Sequence, residues 1–165
     1  MIHTKSLYWV ILGVLVLAIF AVTLFKAWPI LFPDVAVSAQ VDPQCDLRSA
    51  PCTSQLPDGS RVTFSIQPRT IPVLKPLQFE VRIEGLDADR VEVDFAGTDM
   101  NMGFNRVTLD PAAQPGTYSH GGMLPVCVRD VMEWEARVLI STQQGMISVP
   151  YRFVTVRPGI PVPTE

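Results

Sequence analysis

Histidine is scarce in this chain and positive charge is in deficit, and each shortage removes a class of function. The two histidines are His3 and His120. His3 precedes the first apolar run, which leaves the rest of the chain too few imidazoles for a multi-histidine zinc centre. Thirteen Lys and Arg stand against sixteen Asp and Glu, a net charge of −3. Nucleic-acid binding needs a clustered basic footprint to neutralise phosphates, and none is present. The chain also lacks a Cys-x-x-Cys pair, a His-Glu-x-x-His helix, a phosphate-cradling glycine loop and a nucleophile elbow. These absences argue against thioredoxin-like redox chemistry and against hydrolytic or nucleotide-dependent catalysis. His120 and Cys127, on or near one strand, make a poor nucleophile–base pair. The expectation is that the chain is not an enzyme.

An apolar run dominates the N-terminal region. Leu7 to Phe25 reads LYWVILGVLVLAIFAVTLF, with no charged residue. At about 1.5 Å per residue, a helix of that length approaches the ~30 Å hydrocarbon core of a bilayer. Tyr8, Trp9 and Trp28 suit the two interfaces, Lys26 can snorkel, and Pro29 and Pro33 discourage continuation. The pattern predicts a transmembrane helix over 7–28, in contact with the lipid bilayer, after a cytoplasmic stub at 1–6. Lys5 and the free amine outweigh Lys26, which Asp34 balances, and this bias puts the N-terminus in the cytoplasm. The expected location is the inner (cytoplasmic) membrane, single-pass, with the C-terminal domain periplasmic. A cleaved signal peptide is the rival reading, with Val37-Ser38-Ala39 as the cleavage site. The apolar run is longer than a usual signal core and ends well before Ala39, which favours an uncleaved anchor.

Residues 29–58 read as a proline-punctuated linker with neither helical nor strand period. Within it, Cys45 and Cys52 flank a short segment, and in an oxidising compartment a disulfide between them would supply order. Two free thiols, or pairing of either one with Cys127, are the alternatives. Beyond Asp58-Gly59 the period becomes two. Val62, Phe64 and Ile66 share a face, as do Leu77, Phe79, Val81 and Ile83, then Val91, Val93 and Phe95, then Trp134, Ala136, Val138 and Ile140. Each run predicts an antiparallel strand with one buried face. With 104–109, 117–128 and 146–156 added, the expected fold is all-β: an immunoglobulin-like antiparallel β-sandwich of about seven strands over 59–157. Residues 158–165 form a Pro-rich tail.

Apart from the initiator, every methionine falls between residues 100 and 146. Thioether, thiolate and imidazole are the soft ligands that select Cu(I). Met100 and Met102, at i and i+2, project to one side of an extended segment and would supply part of a site. His120, Met123, Cys127 and Met132 are the candidates to complete it. Methionine is equally an ordinary core filler, and Cys127 between two valines equally a small buried hydrophobe.

The stretch from Met100-Asn101-Met102-Gly103 through Gly116-Thr117-Tyr118 to Met132-Glu133-Trp134-Glu135-Ala136 resembles the YtkA-like and FixH-like families. The resemblance covers about residues 60 to 155. Those families are small membrane-anchored or exported β-sandwich domains associated with copper handling and assembly of haem–copper oxidases. The resemblance implies a similar role here, with a membrane protein complex as partner. The chain departs from the family pattern where Phe104 and Asn105 follow Met102-Gly103, in place of a methionine–histidine pairing. The expected function is a membrane-tethered extracytoplasmic accessory domain of Cu(I)-binding or oxidase-assembly type. The alternative is a structural or protein-interaction domain of a membrane complex with no metal.

Overall fold

The computed structural model describes residues 2–31, 35–100, 102–125, 129–157 and 160, without the side chains of 2–7, 10, 27–31 and 35–38. They form two units, 1–34 and 35–165.

The first unit is one helix, α1 (Ile2–Leu31). It begins inside the expected stub and runs past Pro29. A proline in the last turn removes a single backbone hydrogen bond and leaves the earlier turns intact. Among the described residues, no helix is long and apolar enough to cross a membrane. Side chains are described without a break over 11–26, while Leu7 and Val10 of the apolar run fall outside that description.

The second unit is all-β and mostly antiparallel. Its strands are β1 (Val35–Ser38), β2 (Cys52–Gln55), β3 (Arg61–Gln67), β4 (Leu77–Glu84), β5 (Arg90–Gly97), β6 (Arg106–Pro111), β7 (Thr117–Gly122), β8 (Val131–Thr142) and β9 (Gly145–Val156). They follow one barrel-like hydrogen-bonded order, β1-β9-β8-β5-β6-β7-β4-β3-β2. Nine strands replace the expected seven or so. The two extra ones, β1 and β2, come from the segment read as a linker, and β1 alone pairs in parallel. β7 is shorter than expected and ends at Gly122, leaving Met123 outside the ladder.

The period-two faces are buried as the alternation requires. Val62, Phe64 and Ile66 of β3 and Leu77, Phe79, Val81 and Ile83 of β4 all lie in the core. Strand β6 changes partners along its length: Arg106–Leu109 pair with β5, whereas Asp110 and Pro111 pair with β7. Aromatic contacts close the interior across this switch. Phe64 on β3 lies 5.4 Å from Tyr151 on β9, and Phe79 on β4 lies 4.7 Å from Phe95 on β5, between ring centroids. Trp134, fully buried, stacks at 6.4 Å on Phe153, and its Nε1 donates to Thr155 Oγ1 at 2.9 Å. Pro150 sits within β9 because β1 pairs only as far as Ser148, so no ladder bond is demanded of its missing N–H on that side.

Candidate functional site

Strand register decides which loops meet. Gln67 at the end of β3 faces Gln78, Gly97 at the end of β5 faces Trp134, and Gly122 at the end of β7 faces Leu77. The segments after β3, β5 and β7 therefore emerge at one end of the unit, together with the start of β8. The chain enters at the other end, where Val35 faces Met146 beside the β8–β9 hairpin.

Gly97 is the organising position of the methionine-bearing end. A methyl group built on its Cα would lie 2.4 Å from Met132 Cε, 2.6 Å from Met100 O and 3.2 Å from Met102 Cγ. Met100 and Met102 line one shallow cleft with Gly97, Thr98 and Asp99, and both pack half-buried against the core. Met132, near the start of β8, is buried. Two of the six proposed ligands, Met102 and Met132, thus bring their side chains to a residue whose missing side chain makes the room, and Met100 brings its carbonyl oxygen there.

The other candidates are placed differently. His120, on β7 opposite Phe79, sets its Nδ1 3.6 Å from Asp110 Oδ2. Met123 lines a cleft with Phe104 and Phe95 and a second one with Pro68 and Pro76. Neither His120 nor Met123 lines the Met100–Met102 cleft. Cys127 lies outside the described residues. Among the described residues, no group of three or more His, Cys, Asp or Glu side chains is arranged to hold a metal ion. The soft donors that the described part of this end brings together are thioethers, beside the Asp99 carboxylate and the Thr98 hydroxyl that line the same cleft.

Cys45 and Cys52 are disulfide-bonded, with Cα atoms 5.5 Å apart. Their loop is docked onto the unit. Leu47 is buried in the core, and Arg48 Nη1 donates to Val154 O on β9 at 3.0 Å. Asp46 accepts from the backbone N–H of Arg48 at 2.9 Å, and Arg69 donates to Ser49 O. Leu47 is the lone large apolar residue between the cysteines, a signal that marks it as a plug and that strand periodicity overlooks.

The segment between β3 and β4 holds a feature that pattern reading misses. Ile71 and Leu74 both have positive φ, 44° and 55°. A β-branched residue there is a genuine outlier, and one before proline ordinarily takes extended backbone. Ile71 is buried, with its N–H donating to Pro68 O at 2.9 Å. The N–H of Leu74 donates to Leu124 O at 3.1 Å while its side chain stands in solvent.

Charges at this end are largely paired. Arg129 contacts Asp99 at 3.0 Å and Arg157 contacts Asp130 at 2.9 Å. On the outer face, Arg106 and Arg137 both reach Asp94 at 3.7 Å, and Arg152 reaches Glu135 at 3.4 Å. The solvent-exposed pairs among these, Arg129 with Asp99 and Arg157 with Asp130, orient side chains more than they stabilise the fold.

The chain matches no protein-family profile and no curated protein. Its functional reading rests on the chemistry of this end and of α1.

Proposed function

We propose that the chain is a membrane-tethered extracytoplasmic accessory domain that takes Cu(I) at Met100, Met102 and Met132. The observation that carries the metal part is the meeting of the Met102 and Met132 side chains at Gly97, beside the cleft that Met100 and Met102 line. Thioethers are soft donors that favour Cu(I) over harder divalent ions, so a set of them suits that ion. Met102 and Met132 would hold it from two elements and Met100 from the first of these. A bound ion of this kind supplies a site for transfer to an acceptor. The residues themselves would bind it and exclude water.

Tethering rests on α1. The apolar run lies within a single helix of 30 residues, about 45 Å long at 1.5 Å per residue. Its described large apolar side chains are exposed, from 47% at Ile11 to 82% at Phe25. Water leaves that surface uncovered and a bilayer would cover it. The disulfide supports an oxidising compartment for the β unit, and the resemblance to YtkA-like and FixH-like domains points the same way. The change of partners along β6, with aromatic packing across it, supports an immunoglobulin-like sandwich as the architecture.

A metal-free structural role is the second reading. The burial of Met132 and the packing of Met100 and Met102 on the core favour it. Titration of the full chain in detergent micelles with Cu(I), against a competing chelator, separates the two. Met102→Leu/Met132→Leu keeps the packing volume and removes two sulfurs. The metal reading expects affinity to drop by about tenfold or more, roughly 1.4 kcal/mol. Equal competition by the variant and the parent leaves the metal-free role standing.

A further inference from the structure

Three large apolar side chains of the described β unit are more than half exposed: Leu74 (55%), Phe104 (80%) and Met123 (56%). All lie at the loop end opposite the point where the chain enters the unit. They are neighbours through Met123, which shares one cleft with Phe104 and another with Pro68 and Pro76 on either side of the Leu74 loop. The hydrogen bond from Leu74 N–H to Leu124 O ties that loop to the segment carrying Met123. Leu74 is held outward by left-handed backbone that glycine or asparagine would adopt more easily. The fold accepts strain here to present a leucine to solvent, a pattern typical of ligand clamps.

The segments that form this surface carry positive charge only, although Arg106 shares Asp94 with Arg137 and Asp110 lies 3.6 Å from His120. Segments 67–79, 102–107 and 119–125 contain Arg69, Lys75 and Arg106 and no carboxylate, in a chain whose net charge is −3. Arg106 sits over the Phe104 ring, 5.2 Å from its centroid. Asp99 and Asp130, in the neighbouring loops, are engaged by Arg129 and Arg157.

We infer that Leu74, Phe104 and Met123, rimmed by Arg69, Lys75 and Arg106, form a docking surface for a protein segment combining apolar side chains with carboxylates. Aromatic and apolar anchors at the centre with charge at the rim is the usual anatomy of such a contact. Charge complementarity selects the occupant. A second copy docking through the same face would bring two basic rims together. The surface is separate from the methionine cluster, since neither Leu74 nor Phe104 lines the Met100–Met102 cleft, so it stands whether or not copper binds there.

The test uses the full chain in detergent micelles and a fluorescently labelled peptide alternating leucine and phenylalanine with glutamate. Counterparts carrying lysine or glutamine in place of glutamate serve as controls. Fluorescence anisotropy is expected to show binding of the acidic peptide and at least tenfold weaker binding of the lysine one. The Leu74→Asn/Phe104→Ser/Met123→Gln variant should lose the acidic peptide, and Lys75→Glu should weaken it severalfold. An unchanged thermal transition shows that each variant is folded. Equal binding of all three peptides, undiminished binding by the triple variant, or no binding of the acidic peptide overturns the inference. Self-association without peptide that the triple variant abolishes would give the surface to a second copy. Protection of residues 68–76 from hydrogen exchange in phosphatidylglycerol nanodiscs would give it to lipid. Either result also overturns it.

Discussion

Met102 and Met132 meet over the bare Cα of Gly97, so that a methyl group there would come within 3.2 Å of Met102 Cγ and 2.4 Å of Met132 Cε. Met132 can swing its methyl away, but Met100 O, 2.6 Å from the same point, is backbone and cannot. Gly97→Ala therefore has to move the segment after β5. The expected cost is about 1–3 kcal/mol, as for other overpacked sites, read as a lowered midpoint in denaturant. Should Cu(I) bind there, the same variant should also lose affinity for it. A stability equal to the parent's would mean that the methionine end is loosely held and that Gly97 organises nothing.

The disulfide closes a loop with a sequence separation of 7 residues. Loop-closure entropy for a ring of that size gives about 2.5 kcal/mol. Cys45→Ala/Cys52→Ala should lower stability by about that amount, and addition of a reductant should do the same to the parent and nothing to the variant. Leu47→Ala removes the plug without touching the bridge and should cost about 2–5 kcal/mol. If Leu47→Ala were silent, the loop would be tethered by its sulfurs alone.

Tyr151 donates its hydroxyl proton to Val62 O at 2.7 Å, and burial pushes its pKa up to about 12, against a smaller opposing pull from hydrogen bonding by Ser54. Because the folded state holds this proton more tightly than the unfolded chain, whose tyrosines titrate near 10, the contribution is complete below pH 10. It is lost as pH rises from about 10 to about 12, on the order of 2 kcal/mol. Tyr151→Phe should be less stable at neutral pH, by about 1–3 kcal/mol for the stranded carbonyl. Its alkaline decline should be shallower than the parent's. Parallel declines in urea melts between pH 9 and 12 would place the titrating group elsewhere.

The sheet interior was readable in the sequence because burial follows period two wherever strands are long. Leu77, Phe79, Val81 and Ile83 needed no partner to announce their face. β2 was unreadable because Cys52 and Ser54 are its inward residues, and a cysteine and a serine do not look like a core stripe. Only pairing with β3 makes it a strand. β7 stops early because Gly122 lies hard against the Phe79 ring, and Leu124 turns into the core two residues on. At the candidate site the soft chemistry was visible, but its grouping was not. Met102 and Met132 are 30 residues apart, and they meet through the register that sets Gly97 opposite Trp134. Sequence spacing alone gave His120 and Met123 equal standing with them. The strained backbone at Ile71 and Leu74 leaves no trace in composition, since neither residue type favours it.

Alkaline carbonate extraction of cells expressing the full chain, followed by protease added to intact spheroplasts, bears most directly on where this protein works. With α1 in the bilayer and the β unit outside the cytoplasm, the chain stays in the membrane pellet and added protease removes everything beyond residue 34. Recovery of the intact chain in the carbonate-soluble fraction, or its full protection in intact spheroplasts, would rule out a tethered extracytoplasmic domain.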